Sequence, residues 1–286
     1  MSTPWRSSFV RVNGVKTHYV EAGEGEPLIL VHGGGPGASG EHGFQHNIPA
    51  LARHFRVYAL DLIGYGLTDK PPIEYWEQPM SEHLAGFIDA LCLERVRLLG
   101  NSMGAYVVAK YALDHPGRVV KMLFVSSATV ATAMGVPRGE TDGMKAMAAM
   151  RDEVTADKMR RFLETMVHDH AAITDELVES RVRMAKLPGA QEGQRSHSAV
   201  RARLRTDPNL RQIFDLTNRL PKITIPMILV WGKDDRFAPV EQAYALQKLL
   251  PNLKELHVLE GSGHQCQNDQ VERFNEIAVT FFRGDA

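Results

Sequence analysis

The chain has 286 residues, of which 44% are hydrophobic and 23% are charged, the composition of an ordinary globular protein. Its 33 basic and 34 acidic residues leave a formal net charge of -1, which argues against nucleic acid and against an anionic membrane as partners. No apolar run approaches the ~20 residues that cross a bilayer, and the opening MSTPWRSSF lacks the apolar segment of a secretory signal. Since Cys92 and Cys266 are too few for a disulfide framework, we expect a reduced, cytoplasmic protein with two free thiols.

The first predicted element is a β-hairpin, because alternating runs at residues 9–12 and 15–21 flank Asn13-Gly14, a strong turn signal. The pattern then changes to short continuous apolar runs, which are typical of strands buried on both faces. These predicted strands are residues 28–31, 57–60, 96–99, 119–125 and 227–231. The predicted helices are residues 80–92, 103–115, 240–250 and 268–282. Alternating strands and helices predict an α/β fold with a mainly parallel sheet and helices on both faces.

One region, residues 131–220, interrupts this alternation, because it contains no comparable strand run while helical periodicity, arginine and methionine become dense. We interpret it as a helical cap inserted into an α/β core made of residues 1–130 and 221–286. Seven of the 12 methionines of the chain lie in this region: Met134, Met144, Met147, Met150, Met159, Met166 and Met184. They either fill irregular gaps in the cap or form an adaptable apolar wall for a substrate.

A G-x-S-x-G motif, Gly100-Asn101-Ser102-Met103-Gly104, lies between a predicted strand and a predicted helix. This is the context of a nucleophile elbow, a tight turn that presents a serine hydroxyl above the sheet. A glycine-rich turn without chemistry is the alternative, but the context favours the elbow. Ser102 is therefore the candidate nucleophile.

A serine hydroxyl becomes a good nucleophile only when a base removes its proton, and histidine is the usual base. His264 is the candidate, because it stands in a loop of small residues after the strand-like segment 255–259. His32 also ends a predicted strand. It precedes Ser102, however, whereas the order in this type of triad is Ser, Asp, His.

The base in turn needs a carboxylate, and two aspartates follow the predicted strand 227–231. Active sites of α/β proteins collect at such carboxyl ends of strands. We favour Asp235 as the acid, and Asp234 is better suited to capping the turn or the following helix.

The glycine-rich segment at residues 32–37, His-Gly-Gly-Gly-Pro-Gly, is a candidate oxyanion site. Acyl transfer creates an oxyanion, which backbone N–H groups stabilise when the chain can approach closely. We expect the N–H groups of Gly34 and Met103 to form this site, Met103 being also at a helix N-terminus. A nucleotide site is disfavoured, because Ala38 interrupts G-x-G-x-x-G and no Gly-Lys-Ser/Thr follows.

Arg181 occupies an unusual position on a helix predicted over residues 174–186. At ~100° per residue it falls in the middle of an apolar, inward-facing arc. An unpaired buried charge is costly, so an arginine there needs an anion or a route to water. Three interpretations are open: a structural ion pair, a side chain that extends along the apolar surface until its guanidinium reaches water, or a clamp for a substrate carboxylate.

With these motifs the chain resembles the α/β-hydrolase family and, within it, the meta-cleavage-product hydrolases, serine enzymes that cut carbon–carbon bonds in ring-opened aromatic compounds. The resemblance is carried by HGGGPGA at 32–38, DLIGYGLTDKP at 61–71, GNSMG at 100–104, GKDDRFAPV at 232–240 and GSGH at 261–264. It implies an α/β-hydrolase fold and a nucleophile, acid, base and two oxyanion amides at Ser102, Asp235, His264, Gly34 and Met103. It also implies that Asn101 and Arg181 bind the enol and carboxylate end of the substrate, in a binding set that includes Gly33, Gly35 and Gln265.

Three positions depart from the family pattern. Gln265 replaces the tryptophan that typically follows the catalytic histidine. Gly43 stands where an asparagine usually contacts the carboxylate end, and Ala105 replaces a common glycine. These departures indicate an altered substrate pocket.

The function that the resemblance implies is cofactor-independent hydrolysis of a carbon–carbon bond next to a ketone, in an acid similar to a 2-hydroxy-6-oxo-dienoate. An ester, enol-lactone or amide hydrolase with the same triad is the alternative, and a non-catalytic receptor fits the complete triad poorly. The expected partners are a small-molecule carboxylate substrate and copies of the chain in a dimer or larger homo-oligomer. We expect no metal, and we interpret His42 and His46 as surface histidines.

Overall fold

The computed structural model describes residues 5–284, whose strands form one eight-stranded sheet. The strands are β1 (Arg6–Val12), β2 (Val15–Ala22), β3 (Pro27–Val31), β4 (Arg56–Leu60), β5 (Val96–Asn101), β6 (Val119–Val125), β7 (Met227–Gly232) and β8 (Leu253–Leu259). Their order across the sheet is β1-β2-β4-β3-β5-β6-β7-β8. The pairs β1–β2 and β2–β4 are antiparallel, and the remaining pairs are parallel. The predicted mainly parallel sheet and its opening hairpin are therefore confirmed.

Helices fill most of the connections between these strands. Within residues 5–284 the α-helices are α1 (Gly40–Phe44), α2 (Ile48–Leu51), α3 (Glu77–Ala90), α4 (Met103–Asp114), α5 (Ala128–Ala133), α6 (Asp142–Ala148), α7 (Ala156–Glu164), α8 (Asp175–Ala185), α9 (Ala190–Arg203), α10 (Pro208–Phe214), α11 (Glu241–Leu249), α12 (Cys266–Asp269) and α13 (Val271–Arg283). Short 3-10 turns occupy Pro116–Arg118, His170–Ala172 and Leu220–Lys222. No helix in this part of the chain is long and apolar enough to span a bilayer.

The sheet buries a hydrophobic core on each face. In β3, Ile29 and Val31 pack into the core that α3, α4, α5 and α11 cover, whereas Leu28 and Leu30 pack into the core beneath α1, α2 and α13. Because both faces are covered, successive strand residues are all apolar, which explains the continuous runs in the sequence.

The long connection between β6 and β7 carries α5 to α10. Helix α5 packs into the sheet core, while α6 to α8 surround a separate apolar cluster that includes Met159, Phe162 and Val178. The expected start of the cap, residue 131, lies inside α5. The division of the chain into a core and a cap at residues 131 and 220 stays a prediction.

Two helices differ from the predicted bounds by more than one residue. Helix α3 begins at Glu77, three residues before the expected start, because Pro79 lies in its first turn, where a missing N–H costs no helical hydrogen bond. The C-terminal helix is interrupted at Gln270, which has φ -117° and ψ 58°. Tertiary contacts hold this break: the Asp269 carboxylate accepts the N–H of Gly263 at 2.8 Å, and Gln270 Nε2 donates to a loop carbonyl at 3.3 Å.

Close contact between α4 and β3 depends on Gly104. A Cβ atom at this residue would lie 2.2 Å from the carbonyl oxygen of Val31. We therefore expect Gly104→Ala to lower the free energy of unfolding by about 1–3 kcal/mol, the usual cost of overpacking. Urea unfolding measures this, with Gly117→Ala as the control because a Cβ there meets nothing within 4 Å. Equal stability of the two variants would contradict the close packing of α4 on β3.

Candidate active site

The candidate catalytic residues come from loops that follow β3, β5, β7 and β8. These strands belong to the parallel part of one sheet, in which β6 separates β5 from β7, so their carboxyl ends lie at the same edge. The loops carry the glycine segment 32–37, Ser102, Asp235 and His264, respectively. The topology therefore brings together groups that are far apart in the sequence.

Ser102 occupies a strained turn between β5 and α4. Its φ of 54° and ψ of -118° lie outside the conformations that a non-glycine residue ordinarily adopts. Two hydrogen bonds hold the turn: Ser102 N donates to Val125 O at 2.8 Å, and Ser127 Oγ donates to Ser102 O at 2.6 Å. This is the geometry of a nucleophile elbow.

Asp235 and His264 form a buried pair. His264 Nδ1 lies 2.9 Å from Asp235 Oδ2, and the other carboxylate oxygen accepts the backbone N–H groups of Phe237 and Ala238 at 2.8 and 2.7 Å. The carboxylate is thus oriented on one side by the backbone and on the other by the imidazole. Asp234 is half exposed, with Oδ2 3.1 Å from His168 Nδ1. The structure therefore places Asp235, and not its neighbour, beside the candidate base.

The second ring nitrogen of His264 is free to act on a proton. Nε2 is buried, and no hydrogen-bond partner for it exists within residues 5–284. Ser102 and His264 line the same cavity, and Asn101 Nδ2 lies 3.5 Å from the backbone oxygen of His264. Because the Nδ1 proton is directed to Asp235, Nε2 carries the lone pair that a general base requires.

The glycine segment lies against Ser102, the candidate nucleophile. A Cβ atom on Gly33 would lie 3.2 Å from Ser102 Cβ, and one on Gly34 would lie 2.8 Å from Met103 Sδ. In the described part of the chain, the backbone N–H groups of Gly34 and Met103 donate no hydrogen bond. Two neighbouring N–H groups are therefore available beside Ser102, as an oxyanion site requires.

His32 has a structural role at this site. Its Nε2 accepts the backbone N–H of Leu62 at 3.1 Å, so Nδ1 carries the proton and donates to Gly33 O at 2.7 Å. Burial lowers the pKa of His32, which favours this neutral form. In a trans peptide the C=O and N–H point in opposite directions, so holding Gly33 O also orients the N–H of Gly34.

A cavity of about 700 Å³ opens above these groups. It has the size of a small-molecule site, and it is lined by both apolar and cationic side chains. Five of the seven methionines between residues 131 and 220 contribute to its wall: Met144, Met147, Met150, Met166 and Met184. Met159 and Met134 instead lie in the cap cluster and the sheet core. Met150 and Met166 belong to both the cavity wall and the cap cluster, so the two groups overlap. That the wall methionines contact a substrate stays a prediction.

Arg181 is 3% exposed and lines the cavity beside the glycine segment. Its Nε and Nη2 donate to Pro36 O at 3.3 and 3.0 Å, and no carboxylate of the described residues lies within 4 Å. Burial lowers the pKa of Arg181 to about 10, so the group stays charged at neutral pH. Gly37, at φ +67°, permits this arrangement, since a Cβ there would lie 2.0 Å from Arg181 O.

The other predicted binding residues lie in the same wall. Asn101, Gly33, Gly35 and Gln265 all line the cavity. A Cβ atom on Gly35 would lie 3.4 Å from Arg181 Nη2. Gln265 presents an amide where the family typically has the indole of a tryptophan. The side chain at this position of the wall is therefore smaller and more polar than the family's tryptophan.

The prediction that His42 is a surface histidine is wrong. Its ring is largely buried, with Nε2 2.9 Å from Ser180 Oγ and Nδ1 3.0 Å from Ser39 Oγ. Burial, together with the nearby charge of Arg181, lowers the pKa of His42 to about 4. Sequence reasoning missed this because helix α8 covers His42 only in the folded chain. His46 is exposed.

Three further residues were not predicted. Tyr65 Oη and Gln194 Nε2 each donate to Gly34 O at 3.2 Å, which fixes the loop at the candidate oxyanion site. Tyr65 lies in the DLIGYGLTDKP motif, the only sequence signal for it. Arg138 lines the cavity from a loop without periodicity, so no pattern marks which way it faces.

Comparison with known proteins places the chain in a family. A family model described as alpha/beta hydrolase fold matches residues 26–268. The 2-hydroxy-6-oxononadienedioate/2-hydroxy-6-oxononatrienedioate hydrolase of Paraburkholderia xenovorans is 33% identical over 284 residues, covering 96% of this chain and 94% of the relative. The 2-hydroxy-6-oxo-2,4-heptadienoate hydrolase of Pseudomonas putida is 32% identical over 283 residues, covering 96% of each chain.

A solved structure shows the same relationship. A meta-cleavage product hydrolase from Pseudomonas fluorescens is 30% identical, with a TM-score of 0.82 over 96% of this chain and 97% of the other. These similarities extend over nearly the whole chain, including the β6–β7 connection. This protein therefore belongs to the α/β hydrolase fold family and, within it, to the meta-cleavage product hydrolases.

Proposed function

We propose that this protein hydrolyses the carbon–carbon bond next to the 6-keto group of a 2-hydroxy-6-oxo-dienoate, releasing a carboxylic acid and a 2-hydroxydienoate. The observation that carries the proposal is Arg181, a buried guanidinium that lines the cavity without a carboxylate partner among residues 5–284. A buried cation is costly unless an anion accompanies it. The substrate carboxylate supplies that anion at the end of the cavity next to Gly35.

The first chemical step prepares the bond for cleavage. The proton of the 2-hydroxyl moves to C5, which converts the dienol into a 2-keto acid with a saturated C5. The C5–C6 bond can then break, because its electron pair is delocalised onto the C2 oxygen through the C3–C4 double bond. Binding of the C1 carboxylate at Arg181 and of the C2 oxygen near Asn101 holds the substrate in this orientation.

The second step uses the catalytic set. His264 Nε2 takes the proton of Ser102 as the hydroxyl oxygen attacks C6, and the N–H groups of Gly34 and Met103 stabilise the oxyanion. When the oxyanion collapses, the C5–C6 bond breaks and the C2 oxygen of the dienolate receives the proton from His264. Water then hydrolyses the acyl-serine, again with His264 as base.

An ester, enol-lactone or amide hydrolase is the alternative, favoured by Gln265 at the family's tryptophan position. The two functions are distinguished by measuring turnover of a 2-hydroxy-6-oxo-dienoate and of a neutral p-nitrophenyl ester by the same preparation. We expect kcat/KM to be higher for the dienoate. A clear preference for neutral esters would refute carbon–carbon cleavage as the main activity.

Arg181→Met tests the carboxylate site. Two charge-assisted hydrogen bonds contribute about 3–4 kcal/mol, so we expect KM for the dienoate to rise about 10²- to 10³-fold. Steady-state kinetics with the dienoate and with the neutral ester measure this in parallel. An equal loss on the ester would show that Arg181 acts only by supporting the glycine segment through Pro36. Arg183→Met, on the exposed face of the same helix, is the matched control.

A further inference from the structure

A second serine, histidine and aspartate meet outside the cavity. Ser7 Oγ lies 2.8 Å from His18 Nε2, and His18 Nδ1 lies 2.7 Å from Asp61 Oδ2. None of these three residues lines the cavity above Ser102. Their hydrogen bonds follow the order that makes a serine hydroxyl nucleophilic, and the proposed carbon–carbon cleavage makes no use of them.

Neighbouring strands of the sheet bring the three residues together. Ser7 lies in β1 and His18 in β2, Asp61 follows β4, and these strands are adjacent and antiparallel. Phe9 is directly opposite His18 in the β1–β2 register, and the two ring centroids are 5.0 Å apart. Because side chains alternate between the faces of a strand, Ser7 lies on the same face as Phe9 and reaches the imidazole diagonally.

Asp61 is held in place and ionised. Its Oδ1 accepts the backbone N–H of Gly40 at 2.7 Å, and its Oδ2 accepts that of Leu67 at 2.9 Å. Burial raises the pKa of Asp61, but the hydrogen bonds from His18 and Leu67 outweigh this effect and lower it overall. An ionised carboxylate takes the hydrogen bond of the Nδ1 proton, so Nε2 carries the lone pair that accepts the Ser7 O–H.

The hydroxyl end of this arrangement is open to solvent, whereas the other two groups are buried. Ser7 is exposed, while the side chains of His18 and Asp61 are 4% and 1% exposed. A reagent in solution can therefore reach the Ser7 oxygen, although water has little access to the imidazole behind it. Phe9 is 45% exposed and presents apolar surface to an acyl chain on the same face of β1.

We propose that Ser7 is an acyl-acceptor site, modified by small acyl esters that have a weakly basic leaving group. Ser7 Oγ attacks the acyl carbon, the bond to the leaving group breaks with its electron pair, and the Ser7 proton passes to His18 Nε2. Asp61 stabilises the imidazolium, which then loses its proton to water. The products are an ester on Ser7 and the free leaving group.

The site takes up one acyl group and does not turn over. Ser7 lies inside β1, whose sequence RSSFVRV has no glycine turn or helix N-terminus that would aim backbone N–H groups at an oxyanion. The reagent must therefore bring its own reactivity. Hydrolysis of the ester on Ser7, and reaction of Ser7 with a fluorophosphonate, are negligible beside the corresponding reactions of Ser102.

Acetylation by p-nitrophenyl acetate tests the proposal. It is carried out on Ser102→Ala, in which the candidate active site cannot form an acyl-serine, so the outcome is independent of the proposed function. Fragment-ion mass spectrometry locates the acetyl group. We expect Ser7 to be acetylated about 10²-fold faster than Ser8, whose side chain lies on the opposite face of β1, as for general-base catalysis. Ser7→Ala removes this label, and Ser8→Ala keeps it.

His18→Asn separates the effect of the imidazole from simple exposure of the hydroxyl. The asparagine amide can donate to Asp61 as Nδ1 does, but it has no basic nitrogen to take the Ser7 proton. We expect acetylation of Ser7 in this variant to fall to the rate of Ser8. An unchanged rate in the folded variant, or equal rates at Ser7 and Ser8 without the substitution, would overturn the proposal.

Acetylation in urea supplies a second comparison, which decides the matter if His18→Asn does not fold. Unfolding separates Ser7 from His18, so the preference for Ser7 over Ser8 should disappear above the unfolding transition. A preference that persisted in urea would show that the local sequence, and not the contact with His18, makes Ser7 reactive, and it would overturn the proposal.

Discussion

Ser102→Ala lowers kcat for the dienoate by about 10³- to 10⁶-fold, the range found when the nucleophile of a serine triad is removed. The loss is large because no other hydroxyl replaces Ser102 in its strained turn between β5 and α4. Substrate binding stays nearly unchanged, since Arg181 and the cavity wall are intact. Single-turnover kinetics give the rate, and a spectroscopic titration of the dienoate gives the dissociation constant.

A matched control and a covalent label make this test specific. Ser8→Ala, on the edge strand β1, removes a hydroxyl far from the site and should leave kcat unchanged. A fluorophosphonate should label the unaltered protein and the Ser8 variant but not the Ser102 variant. Turnover by Ser102→Ala at a near-normal rate would refute the assignment of Ser102 as nucleophile.

Asp235→Asn lowers kcat by about 10⁴-fold, because the substitution reverses the tautomer of His264. Asp235 Oδ1 accepts the N–H groups of Phe237 and Ala238, so the amide oxygen of an asparagine takes that position and its NH2 faces the imidazole. His264 Nδ1 must then accept a hydrogen bond, which places the ring proton on Nε2. A protonated Nε2 cannot remove the proton of Ser102.

Asp234→Asn is the matched control for this prediction. Asp234 is half exposed and pairs with His168, so its substitution changes the same charge one residue away. We expect kcat within about threefold of the unaltered value, the scale of a surface ion pair. Urea unfolding of both variants separates loss of chemistry from loss of the fold. Similar rates for the two variants would show that Asp235 does not govern the tautomer of His264.

Much of the fold could be predicted because its strands are buried on both faces. A strand such as β3 (Pro27–Val31) is apolar at every position, and this pattern is visible without coordinates. The hairpin at Asn13-Gly14 could be predicted for the same kind of local reason, since the turn requires backbone conformations that Asn and Gly adopt readily. The limits of α3 and the break at Gln270 depend on contacts with residues elsewhere in the chain.

The residues of the candidate site likewise fall into two groups, those that a local sequence pattern indicates and those that it does not. Ser102 and the glycine segment stand in local patterns that describe a turn and a close backbone approach, and the periodicity of α8 indicates that Arg181 faces inward. Arg138, Gln194 and His42 have no such pattern. Their roles depend on which loops and helices lie opposite them, and short-range sequence periodicity contains no information about that.

By itself, the amino-acid sequence determined the alternation of strands and helices and the serine turn, because each of these depends on residues within a few positions of one another. It also determined the order of the candidate triad, because that order is read directly along the chain. Only the tertiary structure decided that Asp235 rather than Asp234 meets His264, that His32 orients the Gly34 amide, and that Arg181 lines the cavity without a carboxylate partner among the described residues. Such arrangements depend on distances between residues separated by as much as half the chain, and these distances exist only once the sheet has formed and α8 has packed against the glycine segment.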